Sequence, residues 1–129
     1  MGRRVAIGAV AFAVAAVMVP MVLTATPSIL AAPAAGPKVL LKAREFLFEP
    51  KEITVRAGEI TFEIKNEGSI EHNFIIEDSG KKKVAEIAVI DAGKTDDVKA
   101  TLRSGTYAFA CTLPGHREAG MHGTLRVQP

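Results

Sequence analysis

From Lys38 onward, apolar and polar residues alternate in short runs broken by turn residues. The clearest run is "ITFEIKN" at 60–66, with Ile60, Phe62 and Ile64 on one face. Strict alternation over that length predicts a half-buried strand. "ITV" at 53–55 precedes the turn Ala57-Gly58, and Glu67-Gly68-Ser69 closes the next run. "EHNFII" at 71–76 puts His72, Phe74 and Ile76 on one side. "TDDVKATL" at 95–102 and "TYAFAC" at 106–111 flank Ser104-Gly105, and Tyr107, Phe109 and Cys111 share a face. "MHGTLRV" at 121–127 aligns Met121, Gly123, Leu125 and Val127. "VAEIAVI" at 84–90 fits either a strand or a short helix. Several short strands at this spacing imply an all-β sandwich or barrel.

The first 35 residues have a different character. Their only charges are Arg3 and Arg4, ahead of a run from Val5 to Leu23 that is apolar apart from Gly8 and Pro20. This is the pattern of an export signal or of a retained anchor, since its length falls between a cleavable h-region and a spanning helix. Ala32-Pro33-Ala34 resembles a cleavage site, and no cysteine is present there for lipid attachment. The arginine pair is compatible with twin-arginine export. Both readings place the remainder of the chain outside the cytoplasm, in the periplasm or on the outer face of the membrane. The expected division is therefore 1–35 as signal or membrane anchor (through 5–23) plus a Pro/Ala-rich linker, and 36–129 as one folded domain.

That domain is formally neutral, because the net charge of +2 resides in the leader. A neutral domain with few aromatic residues excludes nucleic acid as a partner. Lys81-Lys82-Lys83 reads as a solvated loop. One cysteine allows no internal disulfide, so stability must come from the core, a bound metal, or both.

The chemistry is concentrated in "CTLPGHREAGMHG" at 111–123. After residue 36 the chain has one Cys, three His and one Met, and four of these five lie within 111–122. Random placement would put about 0.6 of them there. Strand parity aims His72, Cys111 and Met121 inward from three strands. Pro114-Gly115 supplies a turn that brings His116 back over Cys111. The same parity turns His122 outward, as an exposed non-ligand. One thiolate, two imidazoles and a thioether suit neither calcium nor magnesium, nor a four-ligand structural zinc site. They suit the copper of electron transfer. Taken singly, a buried Cys is a small apolar residue and a strand His is a satisfied core residue. A Cys–His nucleophile leaves Met121 and His72 without a role.

The order Cys-x4-His-x4-Met, the upstream His72-Asn73 and the flanking Gly-x-Tyr-x-Phe-x-Cys resemble the cupredoxins. These are single-domain blue copper proteins such as plastocyanin, pseudoazurin, amicyanin and auracyanin. The likeness covers about residues 44–128. It implies a Greek-key β-sandwich of about eight strands with one type 1 copper ion at one end. It implies His72, Cys111 and His116 as equatorial ligands and Met121 as the axial one. Asn73 and Thr112 would tie the ligand loops together. Leu113, Pro114, His116 and Ala119 would form an apolar electron-entry patch. The expected function is a monomeric, non-enzymatic one-electron carrier between a donor and an acceptor redox protein in the cell envelope. The alternative is extracytoplasmic copper delivery or storage, against which the single Met and the core-facing donors count.

Overall fold

The computed structural model describes residues 2, 8–9, 11–13 and 36–129. The chain divides into two units, Met1–Ala32 and Pro33–Pro129. The expected leader and linker fall almost entirely outside the described residues. Among those described, no helix is long and apolar enough to cross a membrane.

Among its described residues the second unit carries nine strands: β1 (Lys38–Arg44), β2 (Leu47–Glu49), β3 (Glu52–Arg56), β4 (Gly58–Asn66), β5 (His72–Glu77), β6 (Lys83–Ile90), β7 (Thr95–Leu102), β8 (Gly105–Ala110) and β9 (His122–Gln128). They form a four-stranded sheet, β2-β1-β4-β7, and a five-stranded sheet, β3-β9-β8-β5-β6. Only β1–β2, β5–β6 and β8–β9 pair as sequence neighbours. Elsewhere the chain crosses between sheets, which makes the sandwich a Greek-key type. Alternation gave the strand over 60–66, and its inward residues Ile60, Phe62 and Ile64 are fully buried. The expectation was about eight strands. That number comes from the resemblance; the alternation itself names seven segments, leaving out β1 and β2, and the three residues of β2 are too few to show a period.

The ambiguous segment 84–90 is strand β6, paired with β5. His72 pairs with Ile90 but Phe74 pairs with Ile87, so β6 carries one extra residue at a bulge. The bulge spaces its buried residues, Ile87 and Ile90, three apart. That interval imitates a helical period.

The core lies between the sheets, around four buried phenylalanines. Phe48 meets Phe74 and Phe109 edge-on at 5.6 and 5.8 Å between centroids. Phe74 lies 6.0 Å from Phe62 and 5.7 Å from Phe109. Each such ring contributes about 1.5–3 kcal/mol by burial. Phe74 and Phe109 stand two residues along the chain from His72 and Cys111, so the packed rings hold the donor-bearing ends of β5 and β8. Gly123 faces this core, where a Cβ would sit 2.2 Å from the Phe109 ring and 2.4 Å from the Lys51 carbonyl oxygen.

Candidate metal centre

Three candidate donors come from strand ends of the five-stranded sheet. His72 opens β5, Cys111 follows the last residue of β8, and Met121 precedes the first residue of β9. All three are fully buried. The Cys111 N–H donates to the Met121 carbonyl at 3.0 Å, extending the β8–β9 ladder by one bond. The fourth candidate, His116, lies on the intervening loop and is half-buried.

That loop is bonded to itself. His116 N–H donates to the Leu113 carbonyl, Ala119 N–H to Gly115, Gly120 N–H to Arg117, and Met121 N–H to His116. Gly115 and Gly120 take φ of 80° and 110°, a backbone that L side chains rarely adopt. These turns return His116 to the sheet. Its Nδ1 lies 3.3 Å from His72 Nδ1 and 3.4 Å from Cys111 Sγ. One ligand atom from each of the three residues falls within 4.8 Å of the others.

A polar clasp surrounds these donors. Asn73 Nδ2 donates to Thr112 Oγ1 at 2.8 Å, and the Thr112 N–H donates to Asn73 Oδ1 at 2.6 Å. The Asn73 N–H points at Cys111 Sγ, 3.5 Å away. The strand carrying His72 and the loop carrying His116 are thereby joined at the sulfur. A second tie runs from Arg117 to Glu77 on β5, with Nη2 and Oε1 3.1 Å apart. It fastens the residue after His116 to the same sheet.

Burial, and then the neighbouring His116, hold the proton affinity of His72 below its ordinary value, while Glu45 pulls the other way. His72 Nε2 is buried without a hydrogen-bond partner among the described residues. That lowered proton affinity favours the neutral ring, and Nδ1, the atom facing His116, is the one whose lone pair a metal would take.

His122 is exposed and stands apart from this cluster. It lines a surface groove of about 620 Å³, together with Arg117, Glu118 and Tyr107. None of the three clustered donors lines that groove. Around His116, Leu113 packs partly against the core, while Pro114 and Ala119 are exposed.

Three contributors escaped the sequence reading. Asn66 is fully buried. Its amide donates to the carbonyls of Ile70 and Ile90 at 2.8 Å each, and its Oδ1 accepts the Gly68 N–H. It shapes the loop that delivers His72. A signal was present: the alternation Ile60, Phe62, Ile64 runs inward to a polar residue, Asn66. Glu45 accepts bonds from the Ser69 N–H and hydroxyl in the same loop, which holds its pKa at about 2. Phe46 sets its ring edge-on to His116, with centroids 5.3 Å apart. Neither Glu45 nor Phe46 left a local signal, because their partners lie far along the chain.

The donors present fit a metal. An ion bonded at about 2.0 Å to nitrogen and 2.3 Å to sulfur spaces trigonal donors about 3.5–3.7 Å apart. The observed 3.3 and 3.4 Å approach that spacing. The family model of the cupredoxin-like domain matches residues 11–127. The chain belongs to the cupredoxin-like family. It is 32% identical over 98 residues to the copper-resistant cuproprotein CopI of Rubrivivax gelatinosus, covering 63% of this chain and 59% of that one. It is 29% identical over 121 residues to auracyanin-B of Chloroflexus aurantiacus, covering 74% and 50%. The chain thus spans between half and three-fifths of the length of these relatives. Among solved structures, reduced auracyanin from Roseiflexus castenholzii superposes with a TM-score of 0.67 at 25% identity, over 71% of this chain and 97% of that one. Auracyanin A from Chloroflexus aurantiacus gives 0.66 at 27%, over 72% and 100%. Copper is the cofactor for which this cupredoxin is built, and it is a blue copper protein.

Proposed function

We propose that this cupredoxin carries single electrons between two redox proteins outside the cytoplasm. His72 Nδ1, Cys111 Sγ and His116 Nδ1 are the equatorial ligands in this reading, and Met121 is the axial one. The observation that carries it is the unequal exposure of the donors: His72, Cys111 and Met121 are fully buried, while His116 reaches the surface. When bound, copper supplies a one-electron couple between Cu(II) and Cu(I). The residues do the rest. The buried thiol and imidazole offer sulfur and nitrogen together, a compromise between the preferences of the two oxidation states. The Asn73–Thr112 clasp and the Arg117–Glu77 tie hold the donors in place, so little must move on electron transfer. In this reading the domain performs no bond chemistry itself, since three of its four donors are closed off from solvent. His116 gives the short route to a docked partner, beside Pro114 and Leu113. The domain works as a monomer in the periplasm or on the outer face of the cytoplasmic membrane, exported by the segment before residue 36.

A second reading, copper delivery or resistance, is favoured by the similarity to the copper-resistant cuproprotein CopI. The two separate on adding Cu(II) to the purified protein. A carrier gives an intense blue thiolate-to-copper band that ascorbate bleaches and air restores. A pale, readily chelated ion would overturn the carrier reading in favour of delivery.

A further inference from the structure

The two ring nitrogens of the buried donor His72 have different surroundings. Nδ1 lies 3.3 Å from His116 Nδ1, while Nε2 is buried and makes no hydrogen bond among the described residues. An imidazole that gives its Nδ1 lone pair to a metal keeps its proton on Nε2, and ligating histidines ordinarily set that N–H against a carboxylate or carbonyl. Burial and the neighbouring His116 lower the proton affinity of His72, and the Glu45 carboxylate opposes them. Glu45 is thus the anionic group whose field reaches this ring.

The route by which it does so is built from both sheets. Glu45 lies in the turn between β1 and β2, in the four-stranded sheet, yet it is fastened to the loop that leads into β5. Its Oε1 accepts the Ser69 N–H, and the Ser69 hydroxyl at 2.8 Å, three residues before His72. Gly68 gives it space, since a Cβ there would lie 2.8 Å from the same oxygen. The Ser69 bonds keep the carboxylate ionised, with a pKa of about 2. A neutral amide oxygen could accept both of those bonds, so anchoring the loop does not by itself require a charge. Glu67, at the start of the same loop, shows the contrast. Arg44, Lys42 and Lys65 stand 2.8, 3.4 and 3.5 Å from its oxygens and offset its charge. Among the described residues no ion pair includes Glu45. Its negative charge is pinned beside the His72 loop and left uncompensated.

We propose that Glu45 is a positioning residue for His72, whose fixed negative charge favours Cu(II) over Cu(I) at the centre. The carboxylate strengthens the imidazole as a donor and offsets the additional positive charge of the oxidised ion. A neutral side chain at position 45 would do neither. This rests on the ligand assignment above, with His72 Nδ1 bound to copper, and names the residue that sets the potential of that same centre.

The experiment uses the full copper-loaded chain and its Glu45→Gln, Glu45→Ala and Glu67→Gln variants. Reduction potentials are measured by voltammetry at low and high salt, beside visible spectra and thermal unfolding of the copper-free forms. Glu45→Gln keeps an oxygen for Ser69, so the blue band and the unfolding midpoint should stay close to those of the unaltered chain. Its potential should rise, so that at a fixed applied potential the ratio of Cu(I) to Cu(II) increases severalfold. The rise should shrink as salt is added, because the field of an exposed carboxylate is screened. Glu45→Ala should raise the potential as well and, having lost the Ser69 bonds, should also lower the midpoint. Glu67→Gln, whose charge is already offset, should move the potential less. An unchanged or lowered potential in Glu45→Gln would overturn the proposal. So would a rise that ignores salt, or one that Glu67→Gln equals, since neither comes from an uncompensated charge at position 45. Absence of the blue band from the unaltered chain would instead overturn the ligand assignment itself, and the role of Glu45 with it.

Discussion

His72 and His116 face each other across 3.3 Å, yet the protein holds them in opposite ways. His72 is fully buried at the start of a central strand, with a strand on either side. His116 stands on a nine-residue loop between Cys111 and Met121, kept by turns, two glycines and the Arg117–Glu77 pair. One donor is part of the core and the other is part of the surface. A rigid floor fixes metal geometry, whereas in the carrier reading proposed above the surface donor is where an electron would leave. The same division separates the two sheets: the five-stranded sheet bears the donors, and the four-stranded sheet supplies core and the Glu45–Phe46 turn.

The largest expected effect comes from Cys111→Ser, which removes the thiolate that both floor and loop converge upon. The blue band should vanish completely, as recorded by visible spectroscopy after copper addition. The two histidines can then be compared directly. His72→Gly and His116→Gly should each lose the band as prepared. Millimolar imidazole should restore it at position 116, which solvent reaches, and not at 72, which is enclosed. Restoration at both sites or at neither would break the contrast between the two donors.

A smaller effect tests the floor alone. Gly123→Ala forces a methyl group into the Phe109 ring and the Lys51 carbonyl. Overpacking of this kind costs about 1–3 kcal/mol, to be read from denaturant unfolding of the copper-free protein. Met121→Leu should keep the colour and raise the reduction potential, because a weak donor to Cu(II) is replaced by hydrocarbon. An unchanged or lowered potential in voltammetry would count against axial ligation.

The smallest effect lies away from the centre. Arg44, with Lys42 and Lys65, holds the Glu67 carboxylate at about 2, below its ordinary 4.5. A depressed carboxylate stabilises the fold fully above pH 4.5, and that contribution is lost as pH falls toward 2. The stability difference between the unaltered protein and Glu67→Gln should therefore shrink over that window in acid titrations of the copper-free domain. Solvent screening keeps the difference modest.

Much of this architecture was legible in the chain. The alternation at 60–66 gives β4, because residues two apart on a strand share a face whatever lies opposite. The same rule turned Cys111 and Met121 inward and His122 outward, and the loop's cysteine, histidine and methionine named the metal class. Two features stayed out of reach for want of local information. Segment 84–90 stayed ambiguous because a bulge, visible only against β5, set its buried residues three apart. The role of Asn66 left no local trace because its partners, Ile70 and Ile90, belong to a loop and to another strand.

The chain alone determined which atoms are available to a metal and which way each strand turns them, since composition and period two are local properties. Tertiary structure decided the distances: two Nδ1 atoms 3.3 Å apart from residues 44 positions apart, and a phenylalanine from the other sheet laid against one of them. Those separations arise from sheet order and crossing loops. They depend on how the strands pair and stack, which no window of neighbouring residues contains.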